Sequence, residues 1–175
     1  MREIALIAAV MMVATSALAQ SAAEKSGVNT LIGVPPKTED FVKEVSMSDM
    51  YELESSKVAL ERGDGATKAF AQQMVQDHQK TTTELKQLID GGKVKAAPAT
   101  AMSDDQQETL NELKGLQGAE FNEQYREDQV EAHEDAVDVF KRYAEEGDNP
   151  DLKAWAGKTL PALEHHLQMA RDMTK

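Results

Sequence analysis

The stretch PDLKAWAGKTLPALEHHLQMARDM, residues 150–173, predicts one long amphipathic helix. Asn149 and Pro150 are both helix-start signals, because an Asn side chain caps free backbone N–H groups and a proline at the first position has no N–H to leave unpaired. Apolar positions recur at intervals of three and four, as on one face of an α-helix: Leu152, Ala156, Thr159, Leu163, His166, Ala170 and Met173. This helix therefore places a histidine, His166, on the face that should be buried.

The same periodicity predicts three more long helices, at residues 39–62, 66–90 and 119–146. Thr38 is predicted to cap the first of them. Ser103 and Gln106 have the spacing of a capping box, which predicts a short helix ending near residue 114.

Two tight turns join the long helices in pairs. Gly63-Asp64 leads into a helix with Phe70 in its first turns, and Gly147-Asp148 leads into one with Trp155. This repetition is typical of one helical hairpin used twice, and two hairpins make a four-helix bundle. The sequence therefore predicts an all-α domain over residues 38–175, with a short extra helix in the connection between helices two and three. The pattern leaves open whether that connection makes the helices alternate or crosses over.

The first 37 residues are predicted to lie outside this domain. Arg2, the apolar run of residues 4–13 and Ala17-Leu18-Ala19 have the order of a secretory signal peptide, which we assign to residues 1–19. Residues 20–37, with Pro35-Pro36, read as a disordered leader. The apolar run is too short to span a bilayer, and we expect no transmembrane anchor after its removal. The sequence thus predicts a periplasmic or secreted protein.

Composition excludes several kinds of partner and chemistry. The chain has 31 acidic and 19 Lys or Arg residues, a formal net charge of −12, which argues against nucleic acids and anionic membrane surfaces. It has no cysteine, so disulfides, thiolate metal sites and cysteine nucleophiles are all excluded. A Gly-rich phosphate loop and a Gly-x-Ser-x-Gly elbow are also missing from the sequence.

Each long helix places one ligand-type residue near the middle of its apolar stripe: Glu52, His78, His133 and His166. Imidazole and carboxylate groups bind Zn, Fe, Cu or Ni, and bundle interiors hold such sites on facing helices. Three hypotheses remain open: a metal site made by these four residues, a hydrogen-bonded polar layer completed by Thr81, Gln129, Thr159 or water, and no common layer. His165 lies on another face and is expected to be solvated.

Several segments together resemble the bacterial domain-of-unknown-function family 4142, over about residues 40–173. The segments that carry the resemblance are Tyr51-Glu52-Leu53-Glu54, Lys57 to Glu61, Lys68 to Ala71, Met74 to His78, Gly118 to Phe121, Tyr125, Ala132-His133-Glu134, Ala136-Val137, Leu160-Pro161 and His166-Leu167. The resemblance implies an exported protein with a ferritin-like four-helix bundle, and it brings no established activity.

One departure from the wider ferritin-like pattern narrows the chemistry. Di-iron members carry a Glu three residues before each ligand histidine. Here those positions hold Val75, Val130 and Leu163. We therefore expect at most one divalent transition-metal ion and no carboxylate-bridged di-iron centre. The predicted function is an exported binding or stress-protective module. A metal-dependent enzyme using the Glu and three-His layer, or a purely structural interaction protein, are the alternatives.

Overall fold

The computed structural model describes residues 33–175. The predicted signal peptide and residues 20–32 of the predicted leader lie outside these described residues. Five α-helices and no strand occur in the described part, which confirms the all-α prediction and the extra helix: α1 (Thr38–Arg62), α2 (Gly65–Asp90), α3 (Asp104–Gly115), α4 (Gly118–Glu146) and α5 (Pro150–Met173). None of the helices within residues 33–175 has both the length and the apolar character needed to cross a bilayer.

Local capping explains why the predicted helix ends agree closely with the observed ones. The Asn149 side chain accepts a hydrogen bond from the Leu152 backbone N–H at 2.9 Å. Ser103 and Gln106 form the predicted capping box at the start of α3. The prediction that Thr38 caps α1 is wrong, because Lys37 occupies the cap position and Thr38 is already helical. Its hydroxyl is bonded instead to groups at the far end of α4.

Asn149 allows a direct test of the hairpin turn. We expect Asn149→Ala to lower the free energy of unfolding by about 1 kcal/mol, because the Leu152 N–H then loses its acceptor. Urea unfolding followed by circular dichroism measures this change. Lys141→Ala, at an exposed position of α4, is the control and should change stability by less than about 0.5 kcal/mol. Equal effects of the two substitutions would contradict the capping role.

The long connection crosses over from one end of the bundle to the other. Arg62, at the end of α1, donates to the backbone oxygen atoms of Lys114 and Leu116, just before α4 begins. At the opposite end of α1, the Thr38 hydroxyl donates to Asp148, just after α4. Helices α1 and α4 are therefore antiparallel neighbours, and the connection after α2 must run back along the bundle. This crossover leaves α2 and α4 parallel to each other.

The apolar core is divided into two clusters, one toward each end of the bundle. The first includes Phe41, whose ring stacks on Tyr143 at a centroid distance of 4.0 Å, and extends to Leu163 on α5. The second contains Phe70, Met74, Ala59, Phe121, Tyr125 and Ala170. On each long helix, the segment between the two clusters carries one of the four predicted ligand-type residues. A polar layer thus separates the two halves of the core.

Candidate metal centre

The structure places one predicted ligand-type residue from each long helix in the bundle interior. Glu52 lies on α1, His78 on α2, His133 on α4 and His166 on α5, and their exposed fractions are 1%, 3%, 1% and 2%. His165, the next residue to His166, is exposed, as expected from its face of the helix. The layer is therefore shielded from bulk solvent.

The three imidazole rings meet at the centre of this layer. Their centroids are 5.7 Å apart for His78 and His133, 5.9 Å for His78 and His166, and 5.4 Å for His133 and His166. One ring nitrogen from each histidine lies within 4.8 Å of the other two. Among the described residues, that group contains the three histidines and not Glu52. The Glu52 Oε1 atom lies beside His133, 3.9 Å from its Nδ1.

In each ring, one of the two nitrogens is hydrogen-bonded to an acceptor, and this bond orients the ring. His78 Nδ1 donates to Asp49 Oδ1 at 2.8 Å, and His166 Nε2 donates to Asp77 Oδ2 at 2.8 Å. His133 Nδ1 donates to the backbone oxygen of Gln129 at 2.9 Å. A proton held on the outer nitrogen of a neutral imidazole leaves a lone pair on the inner one. Each ring therefore keeps one nitrogen whose lone pair is available to a ligand.

The inner atoms of this layer have no hydrogen-bond partner. Seven buried side-chain atoms of the described residues are in this situation, and all belong to the layer: His78 Nε2, His133 Nε2, His166 Nδ1, both carboxyl oxygens of Glu52, and the amide oxygen and nitrogen of Gln129. A buried polar atom without a partner costs about 1–3 kcal/mol. All seven atoms are concentrated in one place, so a single ligand position there, for internal water or for an ion, could satisfy several of them at once.

The electrostatics of the layer follow from burial and from close charge partners. Burial lowers the pKa of His133 to about 3, and the neighbouring histidines add to this effect. Burial raises the pKa of Glu52 to about 7, although His78 opposes the rise. Burial is the strongest single influence on His78 and lowers its pKa, but the hydrogen bond to Asp49 and the charges of Glu52, Asp49 and Asp77 together outweigh burial and raise it. A metal ion must therefore displace a proton from His78, and its affinity should fall as the pH is lowered.

Gln129, which holds the His133 ring, was among the predicted partners, but the two aspartates that hold the other rings were not identified from the sequence. Asp49 was missed because an acidic residue is not expected on the buried face of a helix, yet it is only 4% exposed and also accepts from Thr82. Asp77 is partly exposed, so its helical position gave no sign of an inward contact. The proposed partners Thr81 and Thr159 are bonded to carbonyl groups of their own helices. The sequence signal that could have identified these partners was an acidic residue within four positions of a residue on the buried face of a helix.

The two described cavities lie away from this layer. One of about 760 Å³ runs between α1, α4 and residues 102–106, and one of about 610 Å³ lies beside residues 95–98. Neither cavity is lined by Glu52 or by the three histidines. The layer is thus closed to molecules of substrate size in this conformation.

The fold and the layer together define an all-α bundle with a buried three-histidine centre. The chain belongs to the family described as Domain of unknown function (DUF4142), whose model matches residues 17–173. No curated protein and no solved structure matches the chain. Membership of this family does not bring an activity with it, so any function must be argued from the centre itself.

Proposed function

We propose that this protein binds one divalent transition-metal ion through His78, His133 and His166. One observation carries the proposal: three buried ring nitrogens without partners converge, while the other nitrogen of each ring is bonded to an acceptor. Metal-binding histidines have this same arrangement, in which a carboxylate or carbonyl group fixes the tautomer and orients the free lone pair toward the ion.

The ligand set restricts the kind of ion. Three imidazoles suit Zn, Cu, Ni or Fe, and do not suit Mg or Ca, which prefer oxygen ligands. Two ligands of one tetrahedral ion, each about 2.1 Å from it, lie about 3.4 Å apart. The three nitrogens lie within 4.8 Å of one another, so modest side-chain rotations would bring them to this separation. Glu52, which the sequence predicts as a fourth ligand, places its carboxylate beside His133.

The competing hypothesis, a polar layer completed by Thr81, Gln129, Thr159 or water, requires internal water, because both threonines bond to carbonyl groups of their own helices. Asp49, Asp77 and a backbone oxygen satisfy only the outer ring nitrogens. The inner nitrogens and the Glu52 carboxyl have no partner among the protein atoms of the buried layer. A bound ion would satisfy the three nitrogens at once, which supports the metal-binding hypothesis.

We further propose that the protein acts after export, in the periplasm or outside the cell, by holding this ion in a binding or stress-protective role. The order of residues 1–19 supports export. The buried layer, which neither described cavity reaches, supports retention of an ion over turnover of a substrate. A metal-dependent enzyme remains the second candidate, because a free carboxyl group, Glu52, lies beside the three histidines.

A direct test measures metal content and thermal stability together. The purified protein is stripped with a chelator, exposed in turn to Zn, Fe, Cu and Ni salts, and assayed by mass spectrometry and by melting. We expect one ion per chain. An ion at a hundredfold excess over its Kd should raise the free energy of unfolding by about 2.7 kcal/mol, because it binds the native state.

A matched pair of histidine variants provides the control. His133→Ala removes a buried ligand and should abolish both the bound ion and the stabilisation. His165→Ala removes an exposed histidine of α5 and should leave both unchanged. Absence of any bound ion in the wild type, or equal losses in the two variants, would disprove the metal site.

A further inference from the structure

Four unpaired atoms remain in the layer after the three histidine nitrogens have been assigned to a metal ion. They are the two carboxyl oxygens of Glu52 and the amide oxygen and nitrogen of Gln129. Gln129 is completely buried on α4, one turn before His133, and its backbone oxygen holds the His133 ring. Its side chain lies close enough to Glu52 to lower the pKa of that carboxyl group as a hydrogen-bond donor, although the two groups fall short of a formed hydrogen bond. These two side chains therefore form one polar pair beside the three histidines.

We propose that Glu52 and Gln129 hold an exchangeable small ligand, a water or hydroxide in the resting state, on the fourth position of the metal ion. This inference rests on the metal site proposed above and assigns a role to the side chain of Gln129, beside that of its backbone oxygen, which holds His133. The class of ligand is a water-sized molecule or a small monoanion. Larger ligands are excluded because the four layer residues are at most 3% exposed and neither described cavity reaches them.

The hydrogen-bonding capacities of the two side chains support this arrangement. A water on the ion has two protons to donate, and one oxygen of Glu52 and the amide oxygen of Gln129 can accept them. The Gln129 amide nitrogen can then donate to the second oxygen of Glu52. With one ion and one water, all seven unpaired atoms of the layer obtain a partner. Buried polar groups in native proteins are nearly always satisfied in this way.

Direct ligation of the ion by Glu52 satisfies the layer less completely. One oxygen of Glu52 would bind the ion and the other would accept from the Gln129 amide nitrogen, which leaves the Gln129 oxygen without a donor. The geometry also disfavours it, since Glu52 is not part of the group whose ligand atoms lie within 4.8 Å of one another. Glu52 Oε1 lies 3.9 Å from His133 Nδ1, the nitrogen that is already hydrogen-bonded to the backbone oxygen of Gln129.

The test uses Co(II) as a coloured probe ion and azide as a small monoanion. The chelator-treated protein is loaded with Co(II), and its visible absorption is recorded during an azide titration carried to equilibrium. We expect azide to shift the absorption bands of the wild type, because it replaces solvent on the ion. When azide replaces water, the Gln129 amide can turn its N–H from Glu52 to the anion, so Gln129→Leu removes a hydrogen-bond donor and should weaken azide binding about tenfold. Gln79→Leu, at an exposed position of α2, should bind azide like the wild type.

The Glu52→Gln variant tests whether Glu52 contacts the solvent ligand or binds the ion directly. We expect its Co(II) affinity to fall about 10–100-fold, as for outer-shell partners, whereas His133→Ala should lose Co(II) altogether. Azide should bind more tightly to Glu52→Gln, because a negative charge beside the anion has been removed. Circular dichroism of each variant confirms that the bundle is folded.

The outcomes separate this inference from the metal site itself. If the wild type binds no Co(II), the proposed function fails and this inference fails with it. If Co(II) binds but azide leaves the bands unchanged, or if Glu52→Gln loses Co(II) as completely as His133→Ala, the solvent ligand is disproved while the metal site stands.

Discussion

Asp49→Ala is expected to lower the free energy of unfolding by about 3–5 kcal/mol, because it removes one partner of a buried pair and leaves the other unpaired. Asp49 accepts from His78 Nδ1 at 2.8 Å and from the Thr82 hydroxyl at 2.8 Å. The hydrogen bond to Asp49 raises the pKa of His78, although burial opposes it. The stability that the Asp49–His78 pair contributes is complete below the unfolded pKa of His78, about 6.5, and is lost as the pH rises through the pKa of His78 in the folded protein.

The measurement is urea unfolding of the metal-free protein at pH 6, where His78 is charged. Asp90→Ala is the control, because Asp90 pairs with Lys86 on the exposed end of α2 and both side chains are more than half exposed. We expect that control to change stability by less than about 0.5 kcal/mol. A small effect of Asp49→Ala would show that Asp49 does not support His78. If His78 binds a metal ion, Asp49→Ala should also weaken metal binding by about 10–100-fold.

Glu52→Gln is expected to stabilise the metal-free protein at alkaline pH. Burial raises the pKa of Glu52 from 4.5 to about 7, so the folded state keeps a proton that the unfolded state has released. Stability from this group is complete below pH 4.5 and is lost as the pH rises through about 7. The shift corresponds to about 3 kcal/mol well above pH 7. A glutamine at this position carries no charge at any of these pH values.

The stability difference between Glu52→Gln and the wild type should therefore grow by about 3 kcal/mol in favour of the variant between pH 4 and pH 8. Urea unfolding across this range, with chelator present, measures it. Glu61→Gln, at an exposed position of the same helix, should show no such trend. A pH-independent difference for Glu52→Gln would mean that Glu52 titrates normally in the folded protein.

These two residues differ in what they contribute to the layer. Asp49 is expected to stabilise the fold with or without a metal ion, because it satisfies His78 and Thr82. Glu52 has no hydrogen-bond partner, and its ionised form is expected to cost stability above its pKa of about 7. Proteins accept such a cost at functional sites, where a polar group is kept for a ligand. The stability measurements on Glu52 therefore bear on function as well as on the fold.

The helices and the residues of the layer could be predicted from the sequence because both depend on local rules. Helix boundaries follow from caps and tight turns within a few residues, such as Asn149 and the Ser103 box. The positions of Glu52, His78, His133 and His166 follow from the helical period, which decides the face of a helix. The occurrence of one such residue on each long helix was thus already present in the sequence.

Only the tertiary structure decided how these helices are arranged and what surrounds the histidines. The crossover, with α2 parallel to α4, depends on contacts such as Arg62 with Leu116, which are distant in the chain and have no local signal. The same applies to Thr38, whose hydroxyl contacts Asp148 instead of capping its helix. Asp49 and Asp77 contact histidines on other helices, so the helical period could not assign them that role.

Helix α5 shows both what the sequence determined and what the tertiary structure decided. Its limits at Pro150 and Met173 and the inward position of His166 were determined by the sequence, since each depends on residues within the same helix. The contact of His166 with Asp77 and its approach to His78 and His133 were decided by packing between helices. The physical reason is that side-chain periodicity is a local property, whereas the convergence of three rings requires the whole bundle.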